Sequence, residues 1–270
     1  MYYKQVATSL LLLLTAAAVC PAAEGKAPKR VFLLGQRRDH PPTTHEYMAG
    51  LRVLAKALEG TSGLEVSIHR ADEPWTEGPE LLKQADAIVM FLGQGSRWEQ
   101  TDPKRLKALE ALAARGGGIV AVHWAIGGKD AKYIAKHLEL VGGCHGGPDR
   151  KYTMVETDVK VVDRNHPITF GIDDCKLNDE YYYRLKFATV GKVVPLLEAT
   201  IDGQAETAAW AFERPDGGRS FGFCGMHYHD NWRREDCRRL IVQGLLWTLK
   251  MPIPKEGLPV DVAEEHFRLE

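Results

Sequence analysis

The residues of this chain best suited to chemistry are histidines, and several sit where folds place reactive groups. "GGGIVAVHWAIGG" holds an apolar run that ends in His123, followed at once by Trp124. Strands of that kind deliver a side chain at their carboxyl end, where a hydrolase would carry Ser or Cys. "HYHD" places His227 and His229 two apart, and in extended backbone positions i and i+2 share a face. His45 closes the loop "QRRDHPPTTH", and His145 lies in the glycine-rich "GGCHGGPD". Neutral imidazole binds zinc and similar ions, and its ordinary pKa suits proton transfer near neutrality. Two uses follow. In one, His45, His123, His145 and His227 are the candidate ligands of a divalent metal, zinc first, which would polarise a carbonyl or activate water. In the other, His123 is a metal-free acid–base group, working with Glu180 or Asp179; the candidate catalytic residues are His123, His229 and Glu180.

"LNDEYYYRLKF" gathers Asp179, Glu180, Tyr181 and Arg184. Carboxylates accept hydrogen bonds from sugar hydroxyls, and aromatic faces stack on the apolar faces of sugar rings. Asp179, Tyr181 and Arg184, with Trp98 and Trp124, therefore form a candidate carbohydrate-binding set. No G-x-x-x-x-G-K phosphate loop and no G-x-G-x-x-G after the first strand occurs, so no nucleotide cofactor is expected.

The elements that must position these residues alternate. "KRVFLLG" reads as a buried strand, and Thr43 with Glu46 three residues later as a capping box opening a helix. "LEVSIHR" and "ADAIVMFLG" read as strands with a short helical turn at 79–84 between them. "DPKRLKALEALAARGGG" reads as a helix with Asp102 as cap and Pro103 in its first turn. A β-α-β-α-β-α-β order implies a parallel sheet covered on both faces. Later segments alternate more, and "PDG" between "ETAAWAFER" and "GRSFGFCGM" signals a hairpin. The expected architecture is one α/β domain over 28–255, with a tail at 256–270. The strand ends would bring the histidines to one edge of the sheet.

Composition narrows the partners. Net charge is −1 with neutral histidine, so no basic face for nucleic acid is implied. "MYYKQVATSLLLLLTAAAVCPAAEG" has the pattern of a signal peptide over residues 1–25, giving an exported periplasmic or extracellular protein with no membrane span after its removal. Cys144, Cys175, Cys224 and Cys237 then remain, and sequence leaves their pairing open. The expected partner is a small carbohydrate, with a homo-oligomer possible.

The stretches "VFLLGQRRDHPPTTHEYMAG", "GGGIVAVHWAIGG", "LVGGCHGGPD", "NHPITFGI", "LNDEYYY" and "GRSFGFCGMHYHDNW" together resemble the ThuA-like (trehalose utilisation) family of the class I glutamine amidotransferase-like superfamily. The resemblance implies a flavodoxin-like three-layer sandwich, mostly parallel with an antiparallel C-terminal portion. It implies that His123 holds the place of the amidotransferase cysteine, so glutamine hydrolysis by a thiolate is not expected. It also implies sugar metabolism, as hydrolysis, elimination or isomerisation of a carbohydrate or keto-sugar derivative; a non-catalytic sugar-binding protein on the same fold is the alternative. The usual "GHD" of the family favours His229 with Asp230, and the extra His227 keeps both open.

Overall fold

The computed structural model describes residues 27–269, so the signal-peptide reading lies outside the described residues. The chain begins with β1 (Lys29–Gly35), α1 (Tyr47–Leu58), β2 (Leu64–Arg70), α2 (Gly78–Leu82) and β3 (Ala87–Phe91). Then come α3 (Gly95–Thr101), α4 (Pro103–Ala114), β4 (Gly118–Val122), the short β5 (Gly127–Gly128), α5 (Ile134–Val141) and β6 (Gly143–Gly146). The later half is mostly strand: β7 (Lys151–Val161), β8 (Cys175–Tyr183), β9 (Lys186–Phe187), β10 (Lys192–Ile201), β11 (Gln204–Glu213) and β12 (Arg219–Phe223), before α6 (Glu235–Thr248).

Among the described residues, nine strands form one sheet in the order β2-β1-β3-β4-β12-β11-β10-β7-β8. The first five run parallel, in the 2-1-3-4-5 arrangement of flavodoxin-like folds. The rest continue antiparallel, forming the antiparallel C-terminal portion that the resemblance implies. Its cause is partly local: Asp202 and Gly203 join β10 to β11 with φ of 50° and 76°, the signature of a two-residue type I′ turn. The expected "PDG" connection joins β11 to β12.

Strand periodicity builds two cores. Val31 and Leu33 pack into one with α1 and α6, while Phe32 and Leu34 pack into the other with α4. Helix α4 begins as expected: Asp102 accepts from the Lys104 amide and Pro103 fills the first turn. Helix α1 does not begin at Thr43. Only half of that capping box forms, with Glu46 accepting from the Thr43 amide at 3.0 Å; Thr43 has a φ of 74° and the helix starts at Tyr47. The tail packs onto the domain, burying Val260 and Phe267. Cys144, Cys224 and Cys237 are buried free thiols, and Cys175 is half-buried and free. No helix of the described residues is long and apolar enough to cross a membrane.

Candidate metal centre

His45, His123, Glu180 and His227 converge, with one donor atom from each lying within 4.8 Å of all the others. His45 comes from the loop after β1, His123 from the end of β4, His227 from the loop after β12, and Glu180 from β8. Their backbones are constrained. Thr43, His45, His123 and Met226 all adopt positive φ, at 74°, 49°, 55° and 85°. Non-glycine residues rarely hold such values, and they gather where geometry serves a site. His123 in particular turns sharply out of β4, the way a nucleophile elbow presents its side chain.

Hydrogen bonds fix the imidazole tautomers. His123 Nδ1 lies 2.8 Å from the Cys224 carbonyl, which can only accept, so Nδ1 carries a proton and Nε2 presents its lone pair. His45 Nδ1 lies 2.7 Å from Asp39 Oδ1, so it donates there and presents Nε2 likewise. The two Nε2 atoms face one another at 2.9 Å. Two neutral imidazoles so arranged have no proton between them, and only a shared proton or a cation relieves the opposed lone pairs. Burial disfavours the charged form of His45 and, despite Asp39, pushes its pKa down to about 4. Glu180 completes the group, with Oε2 3.3 Å from His123 Nε2 and 3.2 Å from His227 Nδ1. Burial would raise its carboxyl, but its close contacts with the His123 and His227 imidazoles outweigh that and hold it well below the usual range. The residues therefore form a cluster that can hold a metal ion.

Around these four stand residues that position them. Asp39 accepts from both His40 and His45, at 2.9 and 2.7 Å. Burial works to raise its pKa, but those bonds outweigh it and bring the carboxyl to about 2. Asp179 is fully buried and accepts from the amides of Met226, His227 and Glu180 at 2.6, 2.9 and 2.8 Å. It thereby pins the turn that presents His227. Burial pushes its carboxyl up while His123 and these amides pull it back. Gly225 must be glycine beside it, since a Cβ there would lie 2.5 Å from the Phe223 ring and 2.9 Å from Asp179 Oδ2. The Tyr182 hydroxyl stands 3.3 Å from His123 Nε2, and burial keeps it protonated far above its ordinary pKa.

The cluster opens into a cleft of about 510 Å³ lined by His40, Trp124, Lys129, His145, Arg150, Tyr152, Met154, Tyr182 and Tyr228, among others. Its far wall is a strand pair: Tyr152 stands opposite Tyr182 and Met154 opposite Glu180 across β7 and β8, on one face.

The expected site residues divide accordingly. His45, His123, His227 and Glu180 meet, and Trp124 lines the cleft. His145 also lines it, stacked on Tyr182 at 4.2 Å, but lies outside the four-residue group; burial first, then the Arg150 charge, lowers its pKa to about 3. His229 is turned away, with Nε2 2.9 Å from the Phe267 carbonyl, because a 3-10 turn begins at His229 and the extended i, i+2 geometry fails there. Asp179 positions rather than contacts, as its carboxylate is taken up by amides. Tyr181 points into the opposite core, bonding the Leu177 carbonyl, since successive strand residues alternate faces. Arg184 is exposed with a φ of 56° and does not line the cleft. Trp98 is 1% exposed, its Nε1 bonded to the Ala71 carbonyl, so its ring is not available to a ligand. Of the tyrosines in this stretch, strand parity groups Tyr182 with Glu180 and apart from Asp179 and Tyr181.

An α/β sandwich with a histidine elbow and a three-histidine, one-carboxylate cluster defines the class. The chain belongs to the ThuA family, described as trehalose utilisation, whose model matches residues 35–248. Its fold is similar to that of a putative ThuA-like protein from Parabacteroides merdae, at 15% identity over 90% of this chain and 100% of that one, with a TM-score of 0.64. A putative ThuA-like protein from Bacteroides uniformis matches at 16% identity over 85% and 95%, with a TM-score of 0.62. A cytoplasmic protein from Salmonella typhimurium matches at 16% over 81% and 98%, with a TM-score of 0.56. No curated protein sequence matches the chain.

Proposed function

We propose that this protein is an exported, metal-assisted enzyme acting on a carbohydrate or keto-sugar derivative, with the ion held by His45, His123, His227 and Glu180. The observation that carries the reading is the pair of opposed Nε2 lone pairs at 2.9 Å, each forced by an Nδ1 proton committed elsewhere. Three imidazoles and a carboxylate are a donor set suited to zinc. A divalent ion there supplies Lewis acidity toward a carbonyl or hydroxyl oxygen. The protein's own residues do the rest. Asp39 and the Cys224 carbonyl hold the tautomers. Tyr182, kept protonated, offers a hydrogen bond to a substrate oxygen lodged beside His123 and Glu180. Trp124, Tyr152 and Tyr228 supply faces for a sugar ring. The family description supports the substrate class.

The test is elemental analysis of the protein purified without a histidine tag, beside His123→Ala, with turnover measured on oxidised and unoxidised disaccharides. About one ion per chain, lost together with turnover in the variant, supports the reading. A wild-type protein without metal after purification and reconstitution removes it, leaving His123 and Glu180 as an acid–base pair. Sugar affinity without turnover would instead mark a binding protein.

A further inference from the structure

The charge of the cleft is lopsided. Lys129 and Arg150 both line it, and neither carries a carboxylate partner among the described residues. Lys129 rests its ammonium 5.7 Å from the Trp124 ring, and Arg150 makes one side-chain bond, from Nη1 to the Gly147 carbonyl at 3.2 Å. The neighbouring acids are engaged elsewhere: Asp130 on Lys132, and Asp149 on Lys186. Within the cleft, Glu180 faces His123 and His227, while Asp39 beneath it is shared by His40 and His45. The remaining lining is aromatic or neutral, including Trp124, Tyr152 and Tyr228. Two unmatched cations therefore flank a chamber whose acids are all taken.

We infer that Lys129 and Arg150 form an anion subsite, and that the sugar this cleft takes bears a negatively charged substituent. The substituent would be a carboxylate, sulfate or phosphate. The inference deepens the carbohydrate reading above and rests on it for the sugar. A guanidinium fork matches two oxygens of such a group, and an ammonium adds a point charge at its side. A cleft lined by one sign of charge also concentrates ligands of the other sign. Stacking on the aromatic faces would hold the ring, and the two cations would set which end of it enters.

Titration calorimetry of the full chain decides the matter, with glucuronate, glucose 6-sulfate, glucose 6-phosphate, glucose and inorganic sulfate as probes. We expect at least one charged sugar to bind about tenfold or more tightly than glucose, in keeping with charge-assisted hydrogen bonds, and more tightly than sulfate alone. The charged sugar that binds best identifies the substituent. Arg150→Ala and Lys129→Ala should each erase most of that preference while leaving metal content and melting temperature unchanged. No preference for any charged sugar, including no binding at all, overturns the inference, as does a preference that survives both substitutions or a sulfate affinity equal to the sugar's. Repeating the titrations after chelation separates the two readings. A preference in a chain that never holds metal refutes only the metal centre; metal without preference refutes only the subsite.

Discussion

Replacing Asp179 with alanine tests whether the site is held by buried hydrogen bonds or by packing alone. In the native chain this carboxylate, fully buried, accepts from the Met226 and His227 amides at 2.6 and 2.9 Å. Alanine leaves both amides of the turn, and the Glu180 amide with them, without this acceptor in a buried place. Each such loss costs about 1 to 3 kcal/mol, so the turn loses about 2 to 6 kcal/mol. Against a total stability of about 5 to 15 kcal/mol that is a large fraction. At about 2 to 4 °C per kcal/mol for a domain near this size, melting should fall by roughly 4 to 24 °C. Asp179→Asn should be intermediate, because one oxygen still accepts while the amide nitrogen faces a donor. The assay is thermal unfolding followed by circular dichroism, with bound metal measured on the same samples, since a loosened Met226–His227 turn misplaces a donor. Should Asp179→Ala melt within about 2 °C of the native chain and keep its metal, the account of this carboxylate as the anchor of the turn is refuted.

Other outcomes follow from the same geometry. Asp39→Asn should weaken metal affinity by about 10- to 100-fold without unfolding the chain, as loss of an outer partner of a ligating histidine does, and competition with a chelator reads it. Trp124→Ala should weaken sugar binding with little change in melting, whereas Trp98→Ala should cost about 3 to 5 kcal/mol and leave binding by the folded fraction intact; calorimetry and thermal melts separate the two. Glu73 pairs with the buried Arg105 at 2.8 Å; burial raises its pKa, but bonds from Thr101 and Arg105 outweigh that and lower it. A lowered folded pKa gives stability that is complete above the unfolded glutamate value of about 4.3 and is lost as pH falls. The melting difference between native and Glu73→Gln proteins should therefore be largest at neutral pH and shrink below about pH 4.

The parallel half of the fold was readable because its strands are continuous apolar runs and its helices carry their own start signals, as Asp102 and Pro103 do. His123 was found for the same reason, since a buried strand announces where its last side chain emerges. The loops carried less information. Nothing local states that Thr43, His45 and Met226 take positive φ, because those conformations are imposed by contacts made far along the chain, such as Asp179 to Met226. The choice between His227 and His229 hung on that same turn. Trp98 follows the third strand closely enough to suggest a binding aromatic, but the helix α3 that holds it carries the indole inward, onto Trp75 and beneath Arg105. In "DEYYYR", the period of two was the available signal that separated Glu180 and Tyr182 from Asp179 and Tyr181.

The four converging donors also have a meaning in polymer terms. His45 and His123 are 78 residues apart, and His123 and His227 are 104 apart. An ion shared among them is a cross-link that closes loops of those lengths. In the chain-entropy view a permanent tie across so many residues is equivalent to about 4 to 5 kcal/mol of restricted unfolded freedom. Such a tie would need β4, β8 and β12 in their places first, so it would add little to the early steps of folding and act late, as a latch on unfolding. Removing it would then shorten the life of the folded chain under proteolysis more than it slows refolding.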